Sequence, residues 1–253
     1  MTRGGRRATV SSDGGPMNDQ PTELPLFLLK SVVLFPHTAV PLRVFEPRYK
    51  QLVSRCLAMP TPAFGVVLIK GGPEVESDSS VETVTAVPHR IGTLGRIVEV
   101  DQRDDDTIHL VVLGSARFQI EEVVQSGPYL VARVAYFDDR PGAKAEVLSD
   151  LAETARTLGK RHLRLLAAAL SRDDDDGSHL LERVWKQAPT DPSAFSFFLG
   201  ALIQTAHSDR QRLLRTETTA DRLQDEVGVL RRENEILRAS VRHRQHPSKP
   251  RLN

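Results

Sequence analysis

Residues 24–53, LPLFLLKSVVLFPHTAVPLRVFEPRYKQLV, decide how the first half of this chain is read. Short apolar runs punctuated by proline give two strands, Leu24–Leu29 and Ala39–Val44. The period then changes. Pro47-Arg48-Tyr49 opens an apolar pattern at Tyr49, Leu52, Val53, Cys56 and Leu57, with helical spacing and proline in the first turn, where its missing N–H costs nothing. One helix is thus set into a β-rich region.

The same texture continues outward, with strands predicted at Ala63–Ile69, Thr93–Asp101, Thr107–Phe118 and Tyr129–Phe137. Asp104-Asp105-Asp106 lies between two alternating runs, GRIVEVD and IHLVVLG, which predicts a hairpin. Residues 71–88 are small, acidic and weakly periodic, the pattern of a long exposed loop. From about residue 142 the pattern is helical, with Leu148, Leu151, Ala155, Leu158, His162, Leu165 and Ala169 on one face, so the domain boundary is set near Arg140-Pro141-Gly142. A second helix is broken off by Asp173–Gly177, resumes through Leu181, Val184 and Trp185, and stops before Pro189. Asp191-Pro192 supplies an N-cap for a third, and Ser208 with Gln211 a capping box for the last. The reading is α+β: a tail over 1–21, a β-rich domain over 22–140, a bundle of four helices over 141–244 ending in a long one, and a second tail over 245–253.

Composition narrows the function. The chain has 253 residues, 40% of them hydrophobic and 26% charged, with 34 basic against 33 acidic side chains. No field of one sign covers the molecule. The β-rich part carries net −3 and the helical part +3. Cys56 is the single cysteine, which excludes an intrachain disulfide and fits a reducing compartment; cytoplasm is the expected location. The first residues lack the apolar core of a secretory signal, and Met17 is an alternative start. Residues 192–208 carry no formal charge but are too short and too polar to span a bilayer, so they read as a buried helix.

Residues 24–53, HRIGTLGRIVEV (89–100) and LVVLGSARFQIEEV (110–123), with DPSAFSFFLGALIQ (191–204) and RQRLLRTETTADRLQDEVGVLRRENE (210–235), resemble the N-terminal substrate-binding domain of Lon proteases. The resemblance implies a PUA-like β-barrel followed by a helical bundle, and engagement of polypeptide substrates. Leu28 stands where that family usually has proline, and His37 where glycine is common. No G-x-x-x-x-G-K-[ST] occurs, so the loop that cradles ATP phosphates is missing, and no Ser/Lys protease domain follows. The expectation is a stand-alone, non-enzymatic form without ATPase or protease, acting as an adaptor or holdase in protein quality control beside a separate protease or chaperone. RNA binding by the PUA-like part is the alternative, although net −3 argues against phosphate attraction.

Metal, cofactor and nucleophile motifs are missing. The run at 173–176 fails as an EF-hand, because Arg172 and Arg183 fall on ligand positions. The histidines form no H-E-x-x-H, and Cys56 lies on the apolar face of its helix. For the polypeptide the candidate residues are Phe35, Pro36, Phe45, Arg48 and Tyr49; a Glu46–Arg48 salt bridge holding the strand-to-helix turn is the competing structural reading. In the last helix Leu223, Leu230 and Leu237 fall seven apart, with Val227, Asn234 and Val241 at the matching a positions. That stripe is either the seam of a parallel homodimer or the face that packs on its own bundle.

Overall fold

β2 (Glu23–Leu29) is apolar along its length because it is buried on both faces. Leu24, Leu26 and Leu28 join Leu94, Phe118 and Val134 in one cluster, while Phe27 joins Leu52, Phe64 and Val112 in the other. The structure, a computed structural model, describes residues 7–9, 20–71, 84–170 and 182–245. It divides into two units, Met1–Asp138 and Asp139–Asn253.

The first unit is a mixed sheet of β1 (Arg7–Thr9), β2, β3 (Ala39–Val44), β4 (Ala63–Gly71), β5 (Val87–Pro88), β6 (Ile91–Gln102), β7 (Ile108–Gln125) and β8 (Val131–Tyr136), with α1 (Pro47–Leu57) between β3 and β4. Strand order is β1-β6-β4-β2-β8-β7-β3, and a further β6–β7 pairing turns the path back on itself. Among the described strands β1 and β3 end this path, and β5 pairs with β4 off it. Only β2 and β4, of the strands described, pair in parallel, as a crossover through α1 requires. The curl brings strands close together: a Cβ added at Gly65 or Gly92 would lie 2.7 Å from Phe118 Cζ.

The hairpin predicted at Asp104–Asp106 joins β6 to β7, and α1 buries Tyr49, Leu52, Val53 and Cys56 of the predicted face but exposes Leu57 at its end. Two readings change. β7 continues to Gln125 instead of ending at Phe118. The tail expected over 1–21 contains β1, whose Arg7, Ala8 and Thr9 lie opposite Asp101, Val100 and Glu99. Most of the loop predicted at 71–88, and the acidic run at 173–177, lie outside the described residues.

The second unit holds α2 (Ala145–Leu170), α3 (182–186), α4 (Pro192–Leu202), α5 (His207–Arg215) and α6 (Thr219–Gln245). Asp191 caps α4 by accepting from the Ala194 N–H at 2.8 Å, as its sequence position predicts. The Ser208/Gln211 box is corrected: α5 begins with no side-chain cap. The helix breaks at 216–218, and Thr218 caps α6, its Oγ1 accepting from Asp221 N at 3.1 Å and donating to Asp221 Oδ2 at 2.6 Å.

Asp139 and Arg140 belong to this unit, ahead of the boundary set near Arg140-Pro141-Gly142, because Arg222 holds them there. Its fully buried guanidinium donates from Nη1 to Asp139 Oδ1 at 2.8 Å and from Nη2 to Oδ2 at 2.7 Å, from Nε to Ser196 Oγ at 2.7 Å, and stacks 3.8 Å above Phe197. The Ser193 and Thr219 hydroxyls donate to the same carboxylate. Burial pushes the Asp139 carboxyl up, but Arg222 and the two hydroxyls outweigh it and hold the group below its ordinary value. One turn along α6, Glu226 is sealed from solvent, and neither of its oxygens has a hydrogen-bond partner among the described residues. Burial raises this carboxyl well above its usual range, against the pull of Arg222.

Of the two readings of the stripe in the last helix, packing on its own bundle is what its first half does. Leu223, Val227 and Leu230 pack with Ala152, Ala155 and Leu199 of their own unit. Asn234 is buried too: its Oδ1 lies 3.1 Å from His162 Nδ1, which must therefore carry the proton, and its Nδ2 donates to Leu158 O at 3.2 Å. Leu237 and Val241 are half-buried. Burial lowers the His162 pKa, with Asn234 and Glu233 opposing.

Asp139→Ala should strand the Arg222 charge. Removing one partner of a buried pair costs about 3–5 kcal/mol, read as a lower urea midpoint by Trp185 fluorescence, the single tryptophan of the chain. Glu226→Gln should do the reverse. The folded carboxyl lies above its unfolded value of about 4.3, so its stabilisation is complete below that pH and is lost as pH rises towards the folded value. The wild-type midpoint should therefore fall from about pH 5 to about pH 8 more steeply than that of Glu226→Gln. Equal slopes would remove Glu226 from the account.

Candidate functional site

β8 covers only Glu23–Pro25 of β2, so the rest of that edge needs other partners. Leu26 N donates to Leu130 O at 2.8 Å. For Leu28 the partner is a side chain: its N–H donates to the Tyr49 hydroxyl at 3.2 Å, and the hydroxyl donates to Leu28 O at 3.3 Å. The Tyr49 oxygen thus stands in for the peptide group of a missing strand. The Tyr49 ring stacks on Phe27, centroids 4.1 Å apart and planes 18° apart. Leucine at position 28 supplies the N–H that proline would lack.

Beside this plug runs a groove of about 250 Å³, lined by Leu28 and Leu29 on one side and by Pro41–Glu46 on the other. Among the described residues its second wall, β3, pairs with β7 alone, and no described strand lies along its other edge. Leu42 and Val44 point inward, whereas Pro41 and Arg43 are exposed. A proline within a strand pattern belongs at an edge. Phe45 follows β3 with 53% of its surface exposed. A depression of about 400 Å³ shares Pro41, Leu42 and Arg43 and continues to His109, Glu99 and Asp101. Register sets Arg43, His109 and Asp101 side by side on β3, β7 and β6.

Cations around the groove face carboxylates. Glu46 leaves the N-terminus of α1 uncapped and takes Arg48, whose Nε donates to Oε2 at 2.9 Å. Arg43 donates to Asp105 at 3.2 Å, and Lys50 pairs with Asp106. Hydrogen bonds from Thr107, side chain and backbone, then the Arg43 charge, hold the exposed Asp105 carboxyl below its usual value. The site is therefore apolar with a balanced rim. Among the described residues no group of three or more His, Cys, Asp or Glu is arranged to hold a metal. Burial pushes the Cys56 thiol up to about 12, so it is inert at neutral pH.

Of the five residues singled out for the polypeptide, two line the groove. Phe45 is exposed, while Tyr49 contributes to the wall with its hydroxyl already engaged. Arg48 is buried, paired with Glu46 and 4.6 Å above the Tyr49 ring. Phe35 and Pro36 are corrected: both are buried in a turn. Phe35 O accepts from Thr38 Oγ1 at 2.8 Å, His37 N donates to Gly114 O at 2.9 Å, and His37 has φ of 62°, which explains why glycine suits this position. The lining residues outside that set of five are Phe27–Leu29, Pro41–Val44 and Glu46. Pro41 was their signal.

Tyr49→Phe should keep the ring stack and orphan both polar groups of Leu28, a loss of about 1–3 kcal/mol for buried groups left unpaired. The measurement is the denaturation midpoint together with amide exchange at Leu28; unchanged protection there would contradict the plug.

The description "ATP-dependent protease La (LON) substrate-binding domain" belongs to the family model that matches residues 23–232. Lon protease of Anaeromyxobacter dehalogenans is 27% identical over 241 residues, covering 93% of this chain and 27% of that protein. Lon protease 1 of Syntrophotalea carbinolica is 35% identical over 116 residues, 46% of this chain. The chain therefore spans about a quarter of the length of the full relatives it matches. The crystal structure of a Lon N-terminal domain protein from Xanthomonas campestris covers 82% of the chain at TM-score 0.54 and 25% identity. The N-terminal domain of Lon protease from Mycobacterium avium complex covers 83% at TM-score 0.56 and 18% identity, a likeness of fold. With the greater part of its length matched, the chain belongs to the Lon substrate-binding domain family.

Proposed function

We propose that this chain is a non-enzymatic module that holds extended segments of unfolded polypeptides in the groove between β2 and β3. The observation that carries the reading is a strand edge left open among the described residues beside an apolar groove, with Phe45 exposed at its end. An open edge supplies N–H and C=O groups that any backbone satisfies, and apolar walls take side chains without reading sequence closely. The family supports the same ligand class. Carboxylates facing Arg43, Arg48 and Lys50 leave little pull on a phosphate backbone. In this reading the module serves cytoplasmic protein quality control as an adaptor or holdase, delivering its ligand to a separate protease or chaperone.

Fluorescence anisotropy with labelled, reduced and carboxymethylated α-lactalbumin, which stays unfolded, tests the proposal against a structured RNA. Micromolar binding of the polypeptide is expected, and Phe45→Ala should weaken it about tenfold, or about 1.4 kcal/mol. Saturable RNA binding with a steep salt slope, and none of the polypeptide, would replace this reading. The chain is also expected neither to hydrolyse ATP nor to degrade casein. ATPase activity that stays with the protein through several columns would contradict that.

A further inference from the structure

The edge of β6 changes partner along its length. β4 covers Thr93–Arg96 and then leaves it, with a last contact from Ile97 N to Pro62 O at 2.9 Å. Farther on, β1 takes the same strand antiparallel over Glu99–Asp101, while β7 holds the opposite edge throughout. β1 comes from a polar stretch, RRAT, with no apolar alternation, and it joins β6 through backbone pairing. A strand of three residues makes few such bonds, and a longer one pairing at the same place makes more. The covered edge also adjoins the proposed groove, because Glu99 and Asp101 line the depression that shares Pro41, Leu42 and Arg43 with it.

We propose that the β6 edge at Glu99–Asp101 is a strand-acceptor site for extended polypeptide, and that the chain's own Arg7–Thr9 segment occupies it in cis until a bound client displaces it. The kind of partner is read from the occupant already seated: an extended backbone accepted with little regard to side chains. Asp101 beside it is paired with Arg103 at 2.8 Å, so the edge offers no spare cation to a phosphate. The inference rests on the polypeptide-binding reading and adds a second contact and an internal competitor to it. The competitor limits binding to clients that are extended over more than a few residues.

Ala8 and Val100 are Cα partners, so a disulfide between Ala8→Cys and Val100→Cys pins β1 in place. Cys56 is buried and leaves the engineered pair to react alone. With the carboxymethylated α-lactalbumin probe, the oxidised double variant should bind several-fold more weakly than the same protein reduced. A chain begun at Met17, which lacks β1, should bind several-fold more tightly than the full chain. Equal affinities in the oxidised, reduced and shortened forms, with Phe45→Ala still weakening binding, would overturn the strand displacement and leave the groove standing. Absence of binding in every form would overturn both. A crosslinked dimer on a non-reducing gel would mean that β1 reaches a second copy, which overturns occupancy in cis. Should the disulfide fail to close, the shortened chain decides alone, and unchanged affinity overturns the proposal.

Discussion

Each strand residue carries a donor and an acceptor that must be satisfied, and in a sheet of unequal strands that demand is sharpest at the edges. The first unit meets it in three ways. Where β8 falls short of β2, the Tyr49 hydroxyl serves both polar groups of Leu28. Where β4 leaves β6, β1 takes over. Along β3, with Pro41 inside it, the outer edge has no strand beside it among the described residues. The groove exists because α1 plugs one of its walls with a phenol instead of a strand, which keeps β2 and β3 apart.

The second unit depends on a different economy. Arg222 is fully buried and can be so only because Asp139, Ser196 and Phe197 converge on it. That convergence draws the first residue of the unit onto the start of α6, while Arg140 and Pro141 follow through backbone bonds to Thr219 and Ala220. Glu226, one turn away, finds no such company. The pair illustrates how strongly the fate of a buried charge depends on hydrogen bonds and how weakly on a neighbour of opposite sign alone.

Much of the fold was legible because it follows from period. The switch from short apolar runs to helical spacing at Pro47, and later near residue 142, marks elements the structure contains. What was not legible depended on partners distant in sequence. A heptad stripe from Leu223 to Leu237 looks the same whether it meets a second copy or α2; buried Arg222 and Glu226 beside it, and His162 opposite Asn234, decide for α2. Ser208/Gln211 and Thr218/Asp221 both fit a capping pattern, and only the second is used. At the candidate site Phe45 and Tyr49 could be read, but Phe35 and Pro36 could not be told from groove residues, since an apolar side chain is equally suited to a core and to an open wall. β1 left no mark in the apolar pattern.

The wide sequence separation of the strands bears on how the protein is made. Glu23 of β2 pairs with Arg133 of β8, about a hundred residues later in synthesis. At about 5–20 residues per second, β2 waits seconds beside the ribosome before its antiparallel neighbour exists. Through that interval ELPLFLL, destined for burial on both faces, is an exposed apolar strand of the kind that aggregates. A module proposed to shelter extended chains passes through the same vulnerable state during its own birth, so its yield in a cell should depend on nascent-chain chaperones more than its folded stability suggests.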